Sequence, residues 1–128
     1  MYYTIKRVGE KVKLSVYTLR YYDKEGLLPF VERDHSGKRL FTENDIEWLS
    51  VICCLKNTGM PIKEIRKYIE LCLEEDDSVE NRRLMLTAHR DKVIGQINDL
   101  NHNLEKIEHK IKNIDSACKL YRKDTVKK

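Results

Sequence analysis

The run Ser15-Val16-Tyr17-Thr18-Leu19-Arg20-Tyr21-Tyr22 gathers hydroxyls, a guanidinium and aromatic rings into about two helical turns. A helix that reads nucleic acid needs this mixture, with side chains for base edges and neighbouring donors for phosphates. Thr18 offers a methyl and a hydroxyl to bases, and Arg20 a fork suited to guanine or to phosphate. Tyr21 and Tyr22 offer hydroxyls to the backbone, with one of the two expected to pack inward; Leu19 is expected in the core. Ser15, Thr18, Arg20, Tyr21 and Tyr22 are therefore the candidate DNA-facing residues here, and Lys38 and Arg39 add cations that could reach a phosphate or a minor groove.

Catalytic chemistry finds little support. There is no Gly-rich phosphate loop, no pair of carboxylates in an apolar setting, no nucleophile elbow and no HExxH spacing. His102 and His109 fall away from the apolar stripe of their helix, His35 lies in a polar turn, and His89 lies beside the stripe. No enzyme activity, cofactor or metal site is expected. Cys53, Cys54, Cys72 and Cys118 are scattered, and MYYTIKRVGE has no apolar signal-peptide core, so free thiols in a reducing cytoplasm are expected.

The elements that must position these groups follow from local signals. Thr4 can cap a helix from Ile5 to about Glu10, a turn follows around Lys11 to Leu14, and Ser15 can cap a second helix, Val16 to Glu25, stopped by Gly26. Two short helices and a tight turn make a helix-turn-helix. The extended runs Leu27 to Arg33 and Lys38 to Phe41 flank Asp34-His35-Ser36-Gly37, which reads as a β-hairpin, or wing, with Pro29 at a strand start. Thr42-Glu43-Asn44-Asp45 resembles a capping box. The helix it opens runs to about Asn57, with Trp48, Val51, Ile52 and Leu55 on one face, and Gly59 ends it. Pro61 opens the next helix, which carries Ile62, Ile65, Ile69 and Cys72 at helical spacing. The acidic run Glu74 to Asp77 breaks the pattern, and Ser78 can cap again.

One long helix is expected from there to about residue 121. Val93, Ile97, Leu100, Leu104, Ile107, Ile111, Ile114, Cys118 and Tyr121 alternate at spacings of four and three. A strict 3.5-residue repeat is a coiled-coil seam, and a helix this long cannot bury it on a small domain. Homodimerisation through paired long helices is expected. The organisation is then a DNA-binding domain over 1–74, a dimerisation helix over 78–121 and a frayed tail over 122–128.

The formal charge of +4 hides a division. Residues 1–42 carry nine Lys and Arg against five Asp and Glu, residues 43–77 four against nine, and residues 78–128 twelve against seven. A basic first third suits a polyanion, although a solvated surface has the same composition. At 41% apolar and 36% charged the chain is no disordered tail, and no run of 18 apolar residues suits a membrane.

The run TLRYYDKEGLLP, Thr18 to Pro29, resembles the signature of MerR-type transcriptional regulators. The parts that follow agree in order: GKRLF-T in the wing, LKNTGMPIKEI closing the third helix, and then a long helix. The resemblance implies a mainly α fold: a winged helix-turn-helix followed by a long dimerisation helix that pairs antiparallel. It also implies a homodimer on a palindromic promoter, which twists the DNA on effector binding so that RNA polymerase can engage it. The family's contacts carry over to Thr18, Arg20, Tyr21 and Tyr22, to Lys38 and Arg39 in the wing, and to Lys56 as a backbone contact.

The resemblance also bears on the signal. Drug-binding members carry a large C-terminal domain, and these 128 residues include none, so a drug-binding member is not expected. Mercury- and copper-type members place a Cys where Ser78-Val79-Glu80 stands, and Cys118 has no close second thiol, so metal sensing through Cys72 and Cys118 is the weaker alternative, beside a non-covalent ligand. The run Trp48 to Gly59 resembles the branch that responds to aldehydes and nitrosative stress, and the alignment puts Cys54 at the sensor position. Helix geometry alone does not choose between Cys53 and Cys54, and a small buried apolar residue is the competing reading of Cys54. A reactive thiol needs exposure and access to the thiolate.

Overall fold

The computed structural model describes residues 1–74 and 78–126, with side chains of the last helix described to residue 120. The elements are α1 (Ile5–Val12), α2 (Val16–Lys24), β1 (Glu32–Arg33), β2 (Arg39–Leu40), α3 (Glu43–Asn57), α4 (Ile62–Leu73) and α5 (Val79–Val126). Two compact units emerge, Met1–Leu86 and Thr87–Lys128. The first takes in the opening turns of α5, beyond the boundary at 74 that sequence alone suggests. Ser78 is one cause: it is buried, and its hydroxyl donates to the Leu71 carbonyl at 2.6 Å, tying the two helices together at their junction.

The expected caps at Thr4, Ser15 and Thr42 are made, whereas the Ser78 hydroxyl is turned to the Leu71 carbonyl instead. The Arg7 amide donates to Thr4 Oγ1 at 3.2 Å and the Thr18 amide to Ser15 Oγ at 3.0 Å. Thr42 and Asp45 complete a reciprocal capping box, the Asp45 amide donating to Thr42 Oγ1 and the Thr42 amide to Asp45 Oδ2. Gly26 takes φ +80°, a value that favours glycine, just past the α2 C-terminus, and the Leu27 amide closes back on the Tyr22 carbonyl at 3.0 Å.

Three expectations change in detail. Helix α1 continues two residues further, to Val12, because Lys13 adopts the left-handed conformation (φ 59°) and bonds its amide to the Gly9 carbonyl. The turn then passes so close that a Cβ on Gly9 would lie 2.6 Å from the Leu14 carbonyl oxygen. The wing ladder is only two residues per strand, Glu32 against Leu40 and Arg33 against Arg39, antiparallel. Leu27 and Leu28 are both buried, so these neighbours do not alternate as strand residues do, and both serve the core. On α3 the buried positions are Asp45, Leu49, Ile52 and Leu55, while Val51 is exposed and Trp48 is half-buried against Phe30, their ring centroids 5.7 Å apart. The core is completed by Val8, Leu19, Tyr22, Phe41, Met60, Ile65 and Ile69, so every helix of the first unit before α5 contributes to it.

Helix α5 runs to Val126, five residues past the expected end. Its apolar stripe stays open: Ile97, Leu100, Leu104, Ile107, Ile111 and Ile114 are each about half exposed or more, and Val93 is half-buried. The acidic residues 75–77 lie outside the described residues, as do the last two residues of the expected tail. Among the described residues no helix is long and apolar enough to cross a membrane.

Candidate nucleic-acid interface

Helix α2 divides its side chains cleanly. Leu19 and Tyr22 point into the core, three residues apart on one face. Tyr17, Arg20 and Tyr21 are exposed, Tyr17 at 81%. Thus Tyr22 is the packing aromatic of the adjacent pair, and burial pushes its phenol up, with the neighbouring Cys53 adding to the shift. Thr18 is half-buried and its hydroxyl lies 2.9 Å from that of Ser15, so both are engaged in the helix cap. Tyr17 is not among the contact residues expected from sequence; its exposure on the same helix is a tertiary fact that spacing alone does not give.

The wing is held to this helix by charge. Asp23 of α2 accepts from Arg33 Nη2 and Arg39 Nε, both at 2.6 Å and both on the same oxygen, Oδ2. Arg33 Nη1 also donates to the Gly37 carbonyl at 2.9 Å. Arg39 is therefore engaged with the recognition helix, whereas Lys38 is exposed. The turn between the strands is built by Asp34, whose Oδ1 accepts from the Ser36 hydroxyl and from the amides of Ser36 and Lys38. The Ser36 hydroxyl bond, followed by the Lys38 amide, holds the Asp34 carboxyl below the usual carboxylate range. A second tie fixes the same C-terminal end of α2: Arg66 of α4 donates from Nε to the Glu25 carbonyl at 2.6 Å, beside Gly26. A cation bonded to a terminal carbonyl also complements the negative end of the helix.

Lys56 is exposed in the last turn of α3. One turn earlier the two thiols differ. Cys54 is exposed, whereas Cys53 is half-buried, and loss of solvent pushes its thiol up. Cys53 borders a hollow of about 340 Å³ lined also by Lys11, Val12, Lys13, Ile46 and Ser50. Among the described residues no group of three or more His, Cys, Asp or Glu side chains is placed to hold a metal ion.

A capped helix-turn-helix with exposed Arg20 and Tyr21, a short wing tied to the recognition helix, and a long helix with an apolar seam define a winged helix-turn-helix DNA-binding protein. The profile of the MerR HTH regulatory proteins matches residues 3–72, and that of the MerR DNA-binding region residues 46–110. The chain belongs to the MerR family of transcriptional regulators. It is 45% identical over 111 residues to an uncharacterized HTH-type transcriptional regulator of Haemophilus influenzae strain Rd, covering 87% of this chain and 82% of that protein. Among solved structures it resembles HiNmlR, a MerR family regulator lacking the sensor domain, bound to promoter DNA: TM-score 0.81, 45% identity, 87% of this chain and 88% of that one. A MerR family regulator from Bacillus thuringiensis gives a TM-score of 0.80 at 41% identity, over 87% of this chain and 97% of its own.

Proposed function

We propose that the protein acts as a homodimer whose α5 helices pair antiparallel along the Val93–Ile114 seam and whose two recognition helices occupy an inverted-repeat promoter. It switches transcription by distorting that DNA for RNA polymerase, in the cytoplasm, when an electrophile or oxidant reacts at Cys54. The observation that carries this reading is a self-packed winged helix-turn-helix in a chain whose heptad seam stays half exposed. The likeness to HiNmlR, bound to promoter DNA without a sensor domain, supports it. Arg20 and Tyr21 meet the DNA directly, with Ser15 and Thr18 at the helix start. Lys38, Arg39 and Lys56 hold phosphates, and Tyr22 supports the helix from behind.

At the sensor, the Cys54 thiolate adds to an aldehyde carbonyl carbon and the resulting alkoxide takes a proton from water, giving a hemithioacetal with no change of redox state. Exposure favours Cys54 over Cys53 for this step. A reporter driven by the bound promoter tests it under aldehyde challenge. Cys54→Ser is expected to bind DNA normally and lose induction, while Cys53→Ser stays inducible. Normal induction in Cys54→Ser would refute the thiol switch.

A further inference from the structure

Arg33 and Arg39 stand directly opposite each other across the two-stranded wing. Like charges in that position repel, and here one carboxylate answers both. Asp23 Oδ2 lies 2.6 Å from Arg33 Nη2 and 2.6 Å from Arg39 Nε. Two guanidiniums and one carboxylate leave a net charge of +1 on the cluster. Asp23 is three residues beyond Arg20 on α2, so the two are neighbours on the helix surface. The wing arginines are therefore anchored to α2 about one turn from the exposed Arg20.

Donors remain on this cluster. A guanidinium carries five N–H groups. Among the described residues the chain itself uses two from Arg33, at Gly37 and Asp23, and one from Arg39. The Arg33 side chain is 49% exposed, whereas Asp23 is 18% exposed. The carboxylate thus sits behind a guanidinium that still faces solvent.

We propose that Asp23 is a positioning residue that sets DNA discrimination, and that Arg33 is a phosphate contact additional to Lys38 and Arg39. This rests on the DNA-binding reading above. The Asp23 bonds make the wing and the recognition helix one body. The outward donors of Arg33 then meet phosphates in the same docking position that seats Arg20 on a base edge. Without Asp23 the two arginines repel, the wing loosens, and the surface gains a unit of positive charge. Phosphates are then gripped in any register, and wrong sequences gain most.

The test uses the full chain, a duplex enriched from a random pool by the wild-type protein, and a scrambled duplex, titrated from 50 to 200 mM salt. Arg33→Gln is expected to weaken both duplexes alike and to flatten the salt slope by about 0.9, a change of about threefold over this fourfold salt range. Asp23→Asn is expected to bind scrambled DNA about threefold tighter at the low-salt end, with a slope steeper by about one. The ratio of enriched to scrambled affinity should fall about tenfold, and Asp23→Glu should recover part of it. Equal losses on both duplexes with an unchanged slope in Asp23→Asn would overturn the proposal, leaving Asp23 a structural support only. If Asp23→Asn does not fold, Arg33→Gln decides, and an unchanged slope there overturns the proposal. Failure of the wild-type chain to bind any duplex would instead overturn the DNA-binding reading beneath it.

Discussion

Phe41 and Ile107 are both large apolar side chains, and the protein treats them differently. Phe41 is fully buried within the first unit, whereas Ile107 on α5 is 57% exposed. The difference extends to their neighbours. The helices of the DNA-binding unit close around one core, with caps and ion pairs supplied within the chain. The stripe of α5 from Ile97 to Ile114 is regular too, yet its residues are each about half exposed or more. An α-helix offers a stripe that must be buried against something, and a stripe with a 3.5-residue period fits a second helix of the same kind. One region is thus a finished domain, and the other leaves an apolar stripe uncovered, which the proposed dimer would bury.

Breaking the interface should have the largest effect. Burying a Leu or Ile contributes about 1.5–3 kcal/mol, so four such residues per dimer supply about 6–12 kcal/mol. Leu104→Asp with Ile107→Asp should give monomers, or a loss of helicity, in sedimentation and circular dichroism. The emission of Trp48, the only tryptophan, should stay native because it packs on Phe30 inside the first unit. A folded dimer in this double variant would refute the seam.

Breaking the domain should reverse the pattern. Phe41→Ala is expected to cost about 3–5 kcal/mol, read as a lower midpoint in urea monitored at Trp48. An unchanged midpoint would mean that the core does not depend on it. Gly9→Ala drives a methyl toward the Leu14 carbonyl, and overpacking of this kind costs about 1–3 kcal/mol. It should lower the same midpoint and leave association unchanged; a neutral result would show that the turn relaxes freely. Arg20→Ala should alter neither region's stability, yet cost about 1–3 kcal/mol of discrimination at one base position. Normal specificity in a salt-controlled titration would place recognition elsewhere.

Legibility in the sequence follows the range of the interaction. The caps at Thr4, Ser15 and Thr42 and the stop at Gly26 are local, and their residues announce them. The α5 seam is equally plain, because a 3.5-residue repeat sustained over many turns keeps one narrow stripe on one side of the helix. The face of α3 is not: Trp48 and Val51 are as apolar as Leu49, and only the packed neighbours decide which side turns inward. The same holds for Tyr21 and Tyr22, and for Cys53 and Cys54, adjacent pairs of one residue type in which one member is more buried than the other. The Asp23 cluster joins residues 10 and 16 positions apart and leaves no periodic trace, so nothing in the sequence singles out Arg33.

The central claim is that two identical DNA-binding units are held by one symmetric seam. The most direct measurement is selection of the full-length protein against a pool of duplexes with a long randomised segment, followed by sequencing of the bound fraction. The account predicts enrichment of an inverted repeat, two copies of one half-site at a fixed spacing. Enrichment of a single unrepeated half-site, or no enrichment at all, would contradict it.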